Sequence, residues 1–112
     1  MQDACEAREV LGIVGDKWAL LVVRMLKDGP RRFTELKRSI DGISQRMLTA
    51  TLRDLERDGI VIRTVVEVMP PHVSYELTTM GRTLREATAP LLEWSIEHLP
   101  HIATARAEYD DR

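Results

Sequence analysis

The apolar period of this chain changes once, at Gly59. Before it, Leu48, Leu52 and Leu55 recur at helical spacing. After it, Ile60, Ile62, Thr64, Val66 and Val68 alternate with Val61, Arg63, Val65 and Glu67. A period near 3.6 makes one face of a helix apolar and a period of 2 makes one face of a strand apolar, so the two stretches form different elements. The strand pattern stops at Met69-Pro70-Pro71-His72, a loop that suits neither a helix nor a central strand. It resumes at Val73, Tyr75 and Leu77, which predicts a β-hairpin over about 60–78.

The chain ahead of the hairpin is helical. Residues 4–14 place Ala7, Val10, Leu11 and Val14 on one side of a short helix. Asp16 is placed to cap a second, Lys17–Lys27, whose Trp18, Leu21, Val22, Met25 and Leu26 make it apolar on most of its circumference and therefore central. Gly29-Pro30 ends it. Arg31-Arg32-Phe33 is an extended link, and Thr34 is placed to cap a third helix, Glu35–Ile40. Asp41-Gly42-Ile43 makes a tight turn in which Gly42 is free to take a positive φ. Ser44 caps a fourth helix, Gln45–Asp58, and Gly59 is its stop. Two helices joined by a short glycine turn, over about 34–58, read as helix-turn-helix. Behind the hairpin a last helix runs from about 79 to 99, bent at Pro90, with a further short helix or fraying beyond Pro100.

Four helices, a hairpin and a final helix give a mainly α chain with a small β-hairpin, an α+β winged helix-turn-helix in which the hairpin is the wing. At 112 residues the chain has room for one domain, here expected over 1–112. The first and last helices carry more apolar surface than so small a domain can cover. Val10, Leu11, Leu84, Leu91 and Trp94 are the expected interface of a homodimer, which would set two recognition helices one duplex turn apart.

A formal net charge of −2 argues at first against a nucleic-acid partner. The distribution reverses that: residues 24–63 hold ten basic against six acidic residues, while both flanks are net acidic. A basic centre suits a face presented to a polyanion. Within it, Gln45 and Arg46 open the recognition helix, where side chains meet base edges in a major groove. Thr49 follows one turn on, and Arg53 one turn further, within reach of phosphate. Arg31, Arg32, Thr34 and Lys37 surround the start of the third helix, whose exposed N–H groups can receive a phosphate. Ser44 sits at the turn, and Arg63 and His72 on the wing can reach the flanking backbone or minor groove.

The quoted residues also carry a resemblance. Cys5, Gly12-x-x-Gly15-Asp16-Lys17-Trp18 and Asp28-Gly29-Pro30-Arg31-Arg32-Phe33-x-Glu35-Leu36 are similar to the HxlR-type bacterial transcription regulators. So are Gly42-Ile43-Ser44-Gln45-x-Met47-Leu48-Thr49, Leu52-Arg53-x-Leu55-x-x-Asp58-Gly59 and Leu77-Thr78-x-x-Gly81. The match spans roughly residues 5–95. It implies a dimeric winged helix regulator, expected to repress from a pseudo-palindromic operator, with a redox or small-molecule electrophile signal received at an N-terminal cysteine. Cys5 is the residue so implied. Glu6 stands after it where the family usually has proline, and a neighbouring carboxylate opposes thiolate formation.

Other readings narrow the field. One cysteine excludes an intramolecular disulfide framework and points to a cytoplasmic setting. No apolar run approaches the ~20 residues of a membrane span, and no signal segment opens the chain. Neither a glycine-rich phosphate loop nor a nucleophile elbow is present, so no enzyme and no cofactor are expected. His98 and His101, with Glu93 and Glu97, have metal-compatible spacing, but Pro100 interrupts the face and no metal is expected. Trp18, Met25, Met47 and Trp94 read as core or dimer packing ahead of an effector cavity. A winged helix used only as a protein–protein module is the alternative to DNA binding.

Overall fold

The computed structural model describes residues 7–112, with the side chains of Glu9, Val10 and Val14 outside that description. Cys5 therefore lies outside the described residues. The elements run α1 (Arg8–Gly15), α2 (Lys17–Met25), β1 (Arg31–Arg32), α3 (Phe33–Ser39), α4 (Gln45–Arg57), β2 (Val61–Val66), β3 (His72–Leu77) and α5 (Thr79–Asp110). The chain is mostly helical with a small antiparallel sheet. Among the described residues no helix is long and apolar enough to cross a membrane.

Local chemistry sets most of the boundaries. The Asp16 carboxylate accepts from the backbone N–H groups of Trp18 and Ala19 and opens α2. Ser44 Oγ accepts from Met47 N–H at 3.0 Å and opens α4. Gly42 and Gly59 both take positive φ, at 82° and 76°, and so turn the chain into and out of α4. Trp18, half-buried, reaches to 3.8 Å from where a β-carbon on Gly42 would stand, tying α2 to the helix-turn-helix turn.

Val22, Val23 and Leu26 of the α2 segment, Leu36 of α3 and Leu48, Leu52 and Leu55 of α4 are almost fully buried together. Tyr75 and Leu77 of β3 close the remaining side of this core. As the apolar character of α2 implies, that helix is central, contacting α1, α3, α4 and α5.

The structure departs from the sequence reading in five places. The sheet has three strands, in order β1-β3-β2, because Arg31 and Arg32 pair with Tyr75 and Ser74. Two residues are too short for any period to show. Thr34 is not a cap: α3 starts at Phe33 after an extended Arg32, whose N–H donates to Glu35 Oε1 at 2.9 Å. The Glu35 carboxylate reaches back over the first turn to the N–H of Arg32, so the helix opens two residues ahead of the place a Thr34 cap would give it. Helix α2 closes at Met25 instead of Lys27, through a turn over 26–28. His72 belongs to β3, opposite Val66, and not to the loop.

The largest departure is α5, which continues through both Pro90 and Pro100 to Asp110. A proline inside a helix removes one hydrogen bond and costs about 3 kcal/mol. The residues beyond Pro100 (Ala103, Ala105, Arg106, Ala107, Glu108) are strong helix formers and keep the same helix going. Thirty-two residues span about 48 Å at 1.5 Å per residue, so α5 outruns the globular part.

Candidate nucleic-acid interface

The recognition helix is built to be held from behind. Leu48, Leu52 and Leu55 face the core at 2% exposure or less, and Thr51 is buried beside them. That leaves Gln45, Arg46, Thr49, Ala50 and Arg53 exposed on the opposite side, lining one shallow surface depression. The i, i+4 relations of Gln45, Thr49 and Arg53 stack them along the helix axis. The outward direction of these side chains is thus fixed by burial of the leucines, not by contacts of their own.

A second depression adjoins the first. Arg32, Phe33, Thr34, Gln45, Thr49, Pro71, His72, Val73 and Tyr75 line it, so it runs from the start of α3 across α4 to the wing. Here the structure brings together side chains that the sequence placed in three separate elements: Arg32 and Thr34, Gln45 and Thr49, and His72. Phe33, Pro71 and Tyr75 supply apolar walls that motif reading passed over. Phe33 follows the Arg31-Arg32 link, Pro71 lies in the wing loop and Tyr75 belongs to the returning strand, so no local pattern in the sequence joins them.

Register places the wing cations. Arg63 lies opposite Tyr75 on β2, and Arg31 lies opposite the same tyrosine on β1. Directly opposed residues point to one face, so Arg31, Tyr75 and Arg63 form a row on the side of the sheet toward the helices. Tyr75 is buried, Arg63 is exposed, and Arg31 is held: its Nε donates to the carbonyl of Met25, the last residue of α2, at 3.2 Å. Arg31 thus fastens β1 to a helix end, where a cation also suits the dipole. Lys37 is exposed on α3 but borders neither depression. Glu35 Oε1 takes the Arg32 N–H just ahead of α3 and sets a carboxylate beside the start of that helix.

The proposed dimer residues divide. Leu11, Leu91 and Trp94 are exposed at 58%, 44% and 52%. Leu84 instead packs partly against the core. It also lines a separate apolar groove with Ile13, Ile60, Met80 and Ala87. Trp94 is not a core residue: its indole lies on the surface, stacked on His98.

Comparison with known proteins agrees with this geometry. The model of the HxlR-like helix-turn-helix family matches residues 13–103. The HTH-type transcriptional regulator YtfH of Escherichia coli is 40% identical over 106 residues, covering 95% of this chain and 84% of its own. Among solved structures, the transcriptional regulator ytfH from Salmonella typhimurium superposes with a TM-score of 0.82 at 39% identity, covering 90% of each chain. The redox regulator HypR in its oxidized form gives 0.77 at 42% identity, covering 83% of this chain and 96% of its own.

Proposed function

Because this chain belongs to the HxlR-like helix-turn-helix family of transcriptional regulators, we propose that it acts as a homodimer that binds a pseudo-palindromic operator and represses the adjoining genes. The observation that carries the reading is the outward, leucine-braced face of α4, continuous with the wing through the depression at Gln45, Thr49 and His72.

In this reading Gln45 and Arg46 meet base edges, Arg46 as a fork on guanine and Gln45 on adenine. Thr49 touches a thymine methyl or phosphate. Arg53, Lys37, Arg32 and Thr34 hold phosphates, as does Ser44 beside the turn, while Arg63 and His72 reach the flanking duplex. Arg31 contributes charge from its place beside α2. The contact with a second copy is made by α1 and α5, with Val10, Leu11, Leu84, Leu91 and Trp94 as its residues. A redox or electrophile signal enters at Cys5, in keeping with the likeness to a solved redox regulator.

Gel shifts against the DNA upstream of the chain's own gene test the proposal. Wild type binds one fragment over a random competitor, and Arg46→Ala weakens that preference. Binding that ignores both sequence and Arg46 overturns specific readout, and no binding with a protein partner retained favours an interaction module. Cys5→Ser should hold the operator under diamide while wild type releases it; identical behaviour removes Cys5 as the switch.

A further inference from the structure

The DNA-binding reading leaves His98 and His101 of α5 unused. Steps of three and four along the helix place Leu91, Trp94, His98, His101 and Ala105 on a common face. Leu91 and Trp94 stand exposed on it, and His98 is partly covered. The rings of His98 and His101 are neighbours, with centroids 5.8 Å apart.

His98 is held in one orientation from two sides. Its ring stacks on the Trp94 indole at 4.5 Å with 20° between the planes. Its Nδ1 stands 2.9 Å from the Trp94 carbonyl oxygen. A carbonyl oxygen only accepts, so Nδ1 carries the proton and the free lone pair is on Nε2. An imidazole that binds metal has this arrangement, with one nitrogen donating to a backbone carbonyl while the other coordinates.

Two imidazoles are too few to close a tetrahedral site. Among the described residues, no three His, Cys, Asp or Glu side chains of one chain are grouped to hold a metal. The site is incomplete in a single copy, and the exposed Leu91 and Trp94 on the same stripe mark where a second copy would lie. A two-fold contact on this stripe places like residues against like, and a crossing at His98 gathers four imidazoles around the axis.

We propose that His98 and His101 from two copies together bind one zinc ion at the contact between their α5 helices. This rests on the dimeric reading above. Imidazole nitrogens suit Zn²⁺, and four of them leave no open coordination position, so the ion serves as a tether and not a catalyst. The tether acts on the spacing of the two recognition helices, because α5 is continuous from the wing to the contact.

The test uses the full chain, stripped with EDTA and titrated with zinc sulfate, followed by calorimetry and by sedimentation equilibrium. The expected stoichiometry is one ion per two chains. An ion held by the dimer alone tightens dimerisation about a hundredfold at ~100 times its dissociation constant. His98→Ala and His101→Ala each abolish both effects, and His72→Ala, at the remaining histidine of the chain, keeps both. One ion per chain, or zinc binding that survives His98→Ala, overturns the proposal. The two readings fail separately. A chain that dimerises in EDTA but takes up no zinc removes the metal site and leaves the dimer. A chain that is monomeric in EDTA and pairs on zinc sustains the site and removes the metal-free dimer, and a chain monomeric in both removes both.

Discussion

Replacing Gly81 with alanine tests whether the joint between recognition helix, wing and α5 is as tight as the structure shows. Gly81 is buried in the first turn of α5, where its N–H donates to Thr78 Oγ1 at 2.9 Å. The same hydroxyl donates to the Gly59 carbonyl at 2.7 Å, and Thr78 N–H donates to the Ile60 carbonyl at 3.0 Å. A β-carbon on Gly81 would fall on that Ile60 oxygen and within 3.2 Å of both Ile60 C and Leu77 Cδ2. The oxygen cannot retreat without stretching its bond to Thr78. Overpacking of this kind costs ~1–3 kcal/mol, and a weakened hydrogen bond adds ~0.5–1.5 kcal/mol. Against that, alanine is favoured over glycine in a helix by ~1 kcal/mol. The net expectation is a loss of about 2 kcal/mol. For a chain of this size that is a fall in Tm of about 8 °C, or about 1 M in urea midpoint at unchanged slope. Circular dichroism at one fixed protein concentration reads both. Operator affinity should fall too, since Gly59 and Ile60 lead directly out of α4. A variant equal to wild type, or more stable by the ~1 kcal/mol that helix propensity alone supplies, would refute the close approach.

Arg46→Ala removes one bidentate contact from each half-site, so it should weaken operator binding by ~2–6 kcal/mol, at least about 30-fold, and relax preference at one base pair per half-site; competition gel shifts measure both. Arg53→Ala should instead weaken all sequences alike and flatten the plot of log affinity against log salt by ~1.8, one phosphate's worth from each copy. Ser44→Ala deprives Met47 N–H of its acceptor and should lower stability by ~1 kcal/mol, read in urea. Leu91→Glu or Trp94→Glu should yield a folded monomer in sedimentation, because both side chains are exposed and neither supports the core.

The helix-turn-helix could be read from the sequence because its signals are local. The leucine period of Gln45–Arg57, the Ser44 cap and the glycines at 42 and 59 act within a few residues of one another. The wing was legible as alternation for the same reason. The third strand was not, since Arg31 and Arg32 become a strand only when Tyr75 and Ser74 are brought alongside. Nor was Arg31's engagement, because the Met25 carbonyl it holds is exposed to it only once α2 has ended. The full length of α5 is not legible either, because Pro100 is a local breaker and only the run of helix formers after it carries the helix on to Asp110.

Spacing, caps and burial periodicity therefore determined by themselves which residues of α4 face away from the protein, since those are short-range consequences of a leucine stripe. Only the tertiary structure decided what stands beside that face. The depression that joins Arg32 and Thr34 to Gln45, Thr49 and His72 has walls from α3, α4 and the wing. Neighbours so far apart along the chain are chosen by packing of the whole core, for which no periodicity in a single segment carries information.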